Sequence, residues 1–366
     1  MLKVAVIVPS LQEKGPVIVA ENIAKFNLHG DIQFIFVSLR NNSAEDRERF
    51  NKLGLKFVEV GMGKFPTYIA IKVLKEKVED IQPNIIHAHS FWPTILTACS
   101  LENYIKVVTL HNNPYEDFYF EYGKSIGYFM CVTMKKALKY FDRVIAISEY
   151  VKEVHGNFKI EEKCEIIYNG IENRNDSIKI EVENNTQLVV VSASVLIQRK
   201  NILTALKTVN KLIQEGFILN YYILGDGKQK KLLTQYVNDN ELDKVVHFLG
   251  KQPREKVFSY LKMADCVLVP SLSEGLPLSV IEAMMMQRAV IVSDIPAMGV
   301  IVENDSEGYL CNALDENEYY EAIIKMMNES NRMRLAQKAH QVYLEKFTVE
   351  QMSRKYGELY FRIAEV

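Results

Sequence analysis

The 366-residue chain has few cysteines and a single tryptophan. Its five cysteines stand at 99, 131, 164, 266 and 311, and no two form a Cys-x-x-Cys pair. An odd, scattered set argues against a disulfide framework and points to a reducing, cytoplasmic compartment. A net charge is also missing: 44 basic side chains face 46 acidic ones. Residues 1–175 carry 22 basic and 21 acidic groups, so neither half has the Lys and Arg excess that grips a phosphate backbone. No nucleic-acid partner is therefore expected. No window approaches the ~18–20 uninterrupted apolar residues of a membrane span. The opening MLKVAVIVPS is cut by Pro9 and lacks a small-residue cleavage site, so no secretory signal is expected.

Several motifs are present only in part. Gly123-Lys124-Ser125 ends like a phosphate-binding loop, but the position of its first glycine is Phe118. Gly61-Met62-Gly63 follows a strand without the third glycine of a dinucleotide fingerprint, and reads as a turn. His87, His89 and His111 lack further ligands at metal-binding spacing, and no Asp-x-Asp pair occurs anywhere. No metal and no cofactor are expected.

What is present is average for a soluble globular chain: 48 % hydrophobic and 25 % charged residues. At ~100–200 residues per domain the length fits two domains. Short β-branched runs (Val4–Val8, Phe34–Leu39, Asn84–His87, Lys106–Leu110, Arg143–Ile147) alternate with amphipathic stretches such as Val17–Phe26 and Ile126–Tyr140. Strands that are apolar at nearly every position, separated by helices, imply an α/β fold with parallel sheets. The rhythm breaks at 171–186, IENRNDSIKIEVENNT, which is polar and shows no period that buries a face. This predicts a domain at 1–170, a linker at 171–186 and a second α/β domain at 187–345. Residues 346–366 read as a helix expected to cross back to the first domain. Two such domains are expected to face each other across a cleft, with ligands at the carboxyl ends of strands.

Residues 265–294, DCVLVPSLSEGLPLSVIEAMMMQRAVIVSD, are the most informative stretch. They read as strand Cys266–Val269, a loop to Gly275, and a helix with Pro277 at its first position, where proline costs no hydrogen bond. The amides of Gly275, Leu276, Leu278 and Ser279 are then free, and with the helix dipole they form an anion site. Glu274 and Glu282 bracket this turn, so one ligand can meet both carboxylates and the helix terminus. The plainer alternative is a capping Glu274 and a solvated Glu282, although Val280, Ile281, Ala283 and Met284 make an apolar setting for the latter.

This stretch resembles the Glu-x7-Glu region of retaining glycosyltransferases of family 4, which have the GT-B fold of two Rossmann-like domains. The likeness covers nearly the whole chain. LQEKGP at 11–16 is similar to the family's first glycine loop, TLHNN at 109–113 to its Thr-x-His loop, and LGDGKQKK at 224–231 to its Gly-Asp-Gly turn. AISEYVKE at 146–153, IIYNGIE at 166–172 and VVHFLGK at 245–251 follow in family order. The resemblance implies a nucleotide-sugar donor as substrate. Glu282 would hold the ribose hydroxyls, and Glu274 would meet the sugar near its reacting carbon. Gly275, Leu276, Pro277, Leu278 and Ser279 would hold sugar hydroxyls and diphosphate, with Lys200 neutralising the leaving group. His111 would contact the transferring sugar, and Gly15 would approach the donor phosphate.

Two departures from the family pattern stand out. Ser194-Val195 occupies the usual Gly-Arg, so one phosphate-binding cation is missing, and Arg199 is the candidate replacement. Gly15-Pro16 stands for the usual Gly-Gly. The implied activity is transfer of a sugar, with a UDP-sugar ahead of GDP-mannose, to a glycan or lipid-linked acceptor of a surface polysaccharide such as lipopolysaccharide or capsule. Alternatives are an epimerase or phosphorylase of the same fold, or a non-catalytic sugar-nucleotide-binding subunit. Residues 115–143 interleave Phe118, Tyr119, Phe120, Tyr122, Tyr128 and Phe129 with Lys135, Lys136, Lys139 and Arg143. That mixture suits peripheral contact with the cytoplasmic face of the inner membrane, and equally a packed helix with a solvated basic face.

Overall fold

The computed structural model describes residues 1–364 apart from 29, 157, 159 and 180–186. The second half of the expected linker and the last two residues of the expected terminal helix lie outside these described residues. The chain divides into two compact units, Met1–Glu172 with Thr348–Val366, and Asn173–Phe347.

The first unit holds strands β1 (Leu2–Val8), β2 (Ile32–Ser38), β3 (Lys56–Glu59), β4 (Ile85–His89), β5 (Ile105–Leu110), β6 (Arg143–Ala146) and β7 (Cys164–Ile166). They form one parallel sheet in the order β3-β2-β1-β4-β5-β6-β7. β4 is buried at all five positions, as a strand covered on both faces must be. The order reverses between β1 and β4, so the loops leaving these two strands diverge and open a crevice at their carboxyl ends. The helix Val349–Ala364 completes this unit. Val349, Met352, Tyr356, Leu359, Tyr360 and Ile363 recur at helical spacing, are buried, and join the core of Val4, Ile23, Phe34 and Ile85. Each large side chain buried there contributes roughly 1.5–3 kcal/mol.

The second unit contains β8 (Leu188–Ala193), β9 (Leu219–Leu224), β10 (Val246–Gly250), β11 (Cys266–Val269), β12 (Ala289–Ser293) and β13 (Gly308–Cys311). Its parallel sheet runs β10-β9-β8-β11-β12-β13, and the switch falls between β8 and β11. The short edge strand β13 was absent from the sequence reading. It has four residues, begins with glycine and follows the polar run Glu303–Glu307, so it carries no apolar period. Gly225, at φ +136°, fixes the loop after β8: a Cβ there would stand 1.8 Å from the Ser194 carbonyl oxygen. Leu196 N–H donates to the Asp226 carbonyl at 3.0 Å across the same contact. The described part of the polar stretch is fastened to the helix Arg254–Met263. Lys262 Nζ donates to the Ile178 carbonyl at 2.9 Å, and Ser259 Oγ to that of Lys179 at 2.9 Å.

Candidate functional site

In the second unit the residues expected to carry chemistry follow β8 and β11, the two strands that flank its switch point. The loop after β8 ends in a short turn, Gln198–Lys200, and the loop after β11 runs through Ser271 to Gly275. Leu272 N–H donates to the Arg199 carbonyl at 2.8 Å and ties the two loops together. Glu274 is only 6 % exposed, yet it is charged. Lys200 Nζ contacts its Oε1, Ser271 Oγ donates to the same oxygen at 2.7 Å, and Arg199 stands 3.4 Å from Oε2. Burial opposes ionisation of this carboxyl, but Lys200 and Arg199 outweigh it and hold its pKa below the usual range. Arg199 also donates to the Ser273 carbonyl at 2.7 Å. Two cations around one carboxylate leave the cluster a net charge of +1. Val195, at the position of the usual arginine, is 56 % exposed and has no charge to offer.

The helix after this loop runs Leu278–Met285. Pro277 is its N-cap rather than its first helical residue, and it supplies the carbonyl that accepts from Val280 at 3.1 Å. Leu278 and Ser279 therefore lead the helix with amides that no preceding turn can satisfy. Gly275, which precedes this terminus, makes a contact of its own within the chain. Glu282 lies one turn into the helix, as expected, and pairs with Arg254 at 2.8 Å. Arg254 comes from the helix Arg254–Met263 and went unnoticed in the sequence, where 28 positions separate it from its partner.

In the first unit His111 directly follows β5, and its Nε2 lies 3.0 Å from Nδ1 of His89 at the end of β4. Burial lowers the pKa of His111 to about 3, so the ring is neutral at pH 7. Gly15 opens the helix Gly15–Lys25, and a Cβ placed on it would meet nothing within 4 Å. The loop before it is anchored by Leu11 N–H donating to Asn42 Oδ1 at 2.6 Å. The structure thus brings Arg199, Lys200 and Glu274 into contact in one unit, and places Gly15 and His111 in the other. Of the aromatic segment, Phe118 is buried against Phe91 at 5.5 Å, whereas Ile126, Tyr128 and Phe129 are exposed.

Residues 15–174 match the family described as Glycosyltransferase Family 4, and residues 173–342 match Glycosyl transferases group 1. The chain is a glycosyltransferase of this two-domain family. The glycosyltransferase is 26 % identical over 370 residues to the O-antigen biosynthesis glycosyltransferase WclY of Escherichia coli, with 98 % of both chains covered. Among solved structures it resembles Anabaena Alr3699/HepE in complex with UDP and glucose, at TM-score 0.82 and 16 % identity, covering 98 % of this chain and 99 % of that one. It also resembles sucrose-phosphate synthase from Thermosynechococcus elongatus, at TM-score 0.83, 14 % identity and 99 % coverage of both chains. These likenesses give the glycosyltransferase its GT-B fold. Among the described residues no helix is long and apolar enough to cross a membrane.

Proposed function

We propose that this glycosyltransferase moves a sugar from a UDP-sugar to an acceptor hydroxyl on a lipid-linked or growing surface polysaccharide, with retention and without a metal. The observation that carries the reading is the buried Glu274 held by Lys200 and Arg199 beside the leading amides of the helix Leu278–Met285. Departure of a nucleoside diphosphate needs fixed positive charge and oriented dipoles, and this cluster supplies both. Lys200 and Arg199 neutralise the leaving group, Glu274 meets the sugar, and Glu282 takes the ribose hydroxyls. His111 and Gly15 are read as donor contacts on the resemblance alone. No side chain is assigned as a nucleophile, so the acceptor attacks from the face that the nucleotide leaves.

WclY, an O-antigen biosynthesis glycosyltransferase, supports a surface polysaccharide, and the HepE complex with UDP and glucose supports a UDP-sugar. The exposed Ile126, Tyr128 and Phe129 on the helix Lys124–Leu138, with Lys136 on the same helix, support peripheral contact with an anionic membrane on its cytoplasmic side. Sedimentation with anionic vesicles checks that contact: the wild type pellets, and Tyr128→Ser with Phe129→Ser stays in the supernatant.

A thermal-shift panel of nucleotide sugars tests the donor. The true donor at ~100 times its dissociation constant adds ~2.7 kcal/mol of stability. No shift with any nucleotide sugar refutes the reading. Product NMR then reports the anomeric configuration, and unchanged transfer in EDTA checks metal independence. Sugar isomerisation without acceptor replaces the transferase reading with an epimerase.

A further inference from the structure

Two histidines outside the proposed chemistry sit beneath His111. His87 and His89 are alternate residues of β4, so they share one face of the sheet, and their rings lie 4.1 Å apart. His87 is held at both nitrogens, by the Tyr360 hydroxyl at 2.6 Å and by Thr109 Oγ1 at 2.8 Å. Thr109 is held in turn by the Tyr356 hydroxyl at 2.9 Å. The helix Val349–Ala364 thereby holds His87, and the His87 ring packs against that of His89 at a 44° tilt. Among the described residues only one nitrogen of His89 has a partner: Nδ1 lies 3.0 Å from His111 Nε2. Its Nε2 is buried without one.

One proton is shared in the His89–His111 contact. If His111 donated it, His89 would carry its own proton on Nε2, buried with no acceptor among the described residues. Orphaned buried N–H groups are rare in folded proteins, so the proton belongs on His89 Nδ1. His111 then accepts on Nε2, and its own proton goes to Nδ1, which makes no hydrogen bond among the described residues. We infer that His89 is a positioning residue that fixes His111 as the Nδ1–H tautomer, so that His111 offers a ligand hydroxyl or carbonyl a donor and not a base. This rests on the reading of His111 as a site residue. A neutral donor suits a sugar oxygen that must be oriented and not deprotonated.

The test uses the full chain with ¹⁵N-labelled histidine. Long-range ¹H–¹⁵N correlation distinguishes the two neutral tautomers, and His111→Ala identifies the His111 signals. His89→Asn places an amide N–H where Nδ1–H stood, and His89→Gln places it where Nε2 stood, facing away from His111. The expected result is Nδ1–H at His111 in the wild type and in His89→Asn, with His89→Gln moving toward the Nε2–H form that free imidazole prefers. UDP release from UDP-glucose should lose kcat by up to about 100-fold in His89→Gln, with KM nearly unchanged, and recover most of it in His89→Asn. An Nε2 proton on wild-type His111, or an unmoved tautomer in His89→Gln, overturns the inference. These are measured without substrate. Unchanged UDP release in His111→Ala instead overturns the reading of His111 as a site residue.

Discussion

Lys200→Met should destabilise the second unit more than Glu274→Gln, and the double variant should be more stable than the sum of the two changes allows. The reason lies in which charge is buried. The Glu274 side chain is 7 % exposed, against 16 % for Lys200 and 21 % for Arg199. At contact distance, and at the effective dielectric of ~20 that suits such sites, each ion pair gains about 4 kcal/mol before desolvation is counted. Removing Lys200 strands a carboxylate in the interior with Arg199 at 3.4 Å and the Ser271 hydroxyl as its remaining support. That costs about 3 kcal/mol, the lower end for a broken buried pair. Removing the Glu274 charge leaves two cations that can turn toward water, which costs about 1–2 kcal/mol. In the double variant nothing charged is stranded, so the coupling energy should reach at least ~1 kcal/mol. Urea denaturation must be followed by circular dichroism and by hydrogen exchange of β8 and β11. The only tryptophan, Trp92, lies in the first unit, and its fluorescence does not see this site. Additivity within ~0.5 kcal/mol would refute the reasoning, because the three side chains would then not act as one buried group.

Three further outcomes follow from the same geometry. Arg254→Leu removes the cation that holds Glu282 at 2.8 Å, and UDP affinity measured by calorimetry should fall about tenfold, or ~1.4 kcal/mol. Gly225→Ala drives a Cβ into the Ser194 carbonyl from a left-handed backbone position, so melting of the second unit should fall by the equivalent of ~3 kcal/mol or more. An unchanged melting curve would show that the loop after β8 is not packed as described. The first unit should weaken as pH falls below 6.5. Burial depresses His87 and His111 to about 3 and His155 to about 4, and lowers His89 as well. Between those values and 6.5 the unfolded chain binds the protons and the folded unit does not, so stability is full above 6.5 and drops by about 1.4 kcal/mol per pH unit for each histidine. Trp92 fluorescence in urea at pH 7, 6 and 5 reads this directly, and a flat midpoint would overturn the burial of these rings.

Most of the strands were legible because a doubly covered parallel strand is apolar at almost every position, and a run such as Val4–Val8 admits few other readings. Their ends moved by one or two residues, as at β4, which continues from His87 to His89. β13 was illegible for the opposite reason. Tyr309 and Cys311 are buried, but Gly308 and the half-buried Leu310 dilute four residues below any periodic signal. Gly308 is nonetheless required there, since a Cβ would stand 2.1 Å from the Val290 carbonyl oxygen, a contact that exists only once β12 and β13 pair.

The site was legible as a set of residue types and illegible as a set of pairs. Glu274 and Glu282 lie eight positions apart in a strand-loop-helix pattern, and that spacing alone places both near a helix terminus. What each carboxylate does depends on the cation opposite it. Lys200 and Arg199 stand 74 and 75 residues from Glu274, and the β8–β11 pairing across the switch point is what brings them together. The missing arginine at Val195 shows the same limit. As a sequence feature it reads as a lost phosphate contact. In the fold, Arg199 is drawn inward to the Ser273 carbonyl and Glu274, and the cluster keeps one net positive charge beside the helix terminus. On the proposed reading, a chain with a formal charge of −2 needs no broad positive field to receive a diphosphate, because one buried carboxylate holds two cations in place where the anion would dock.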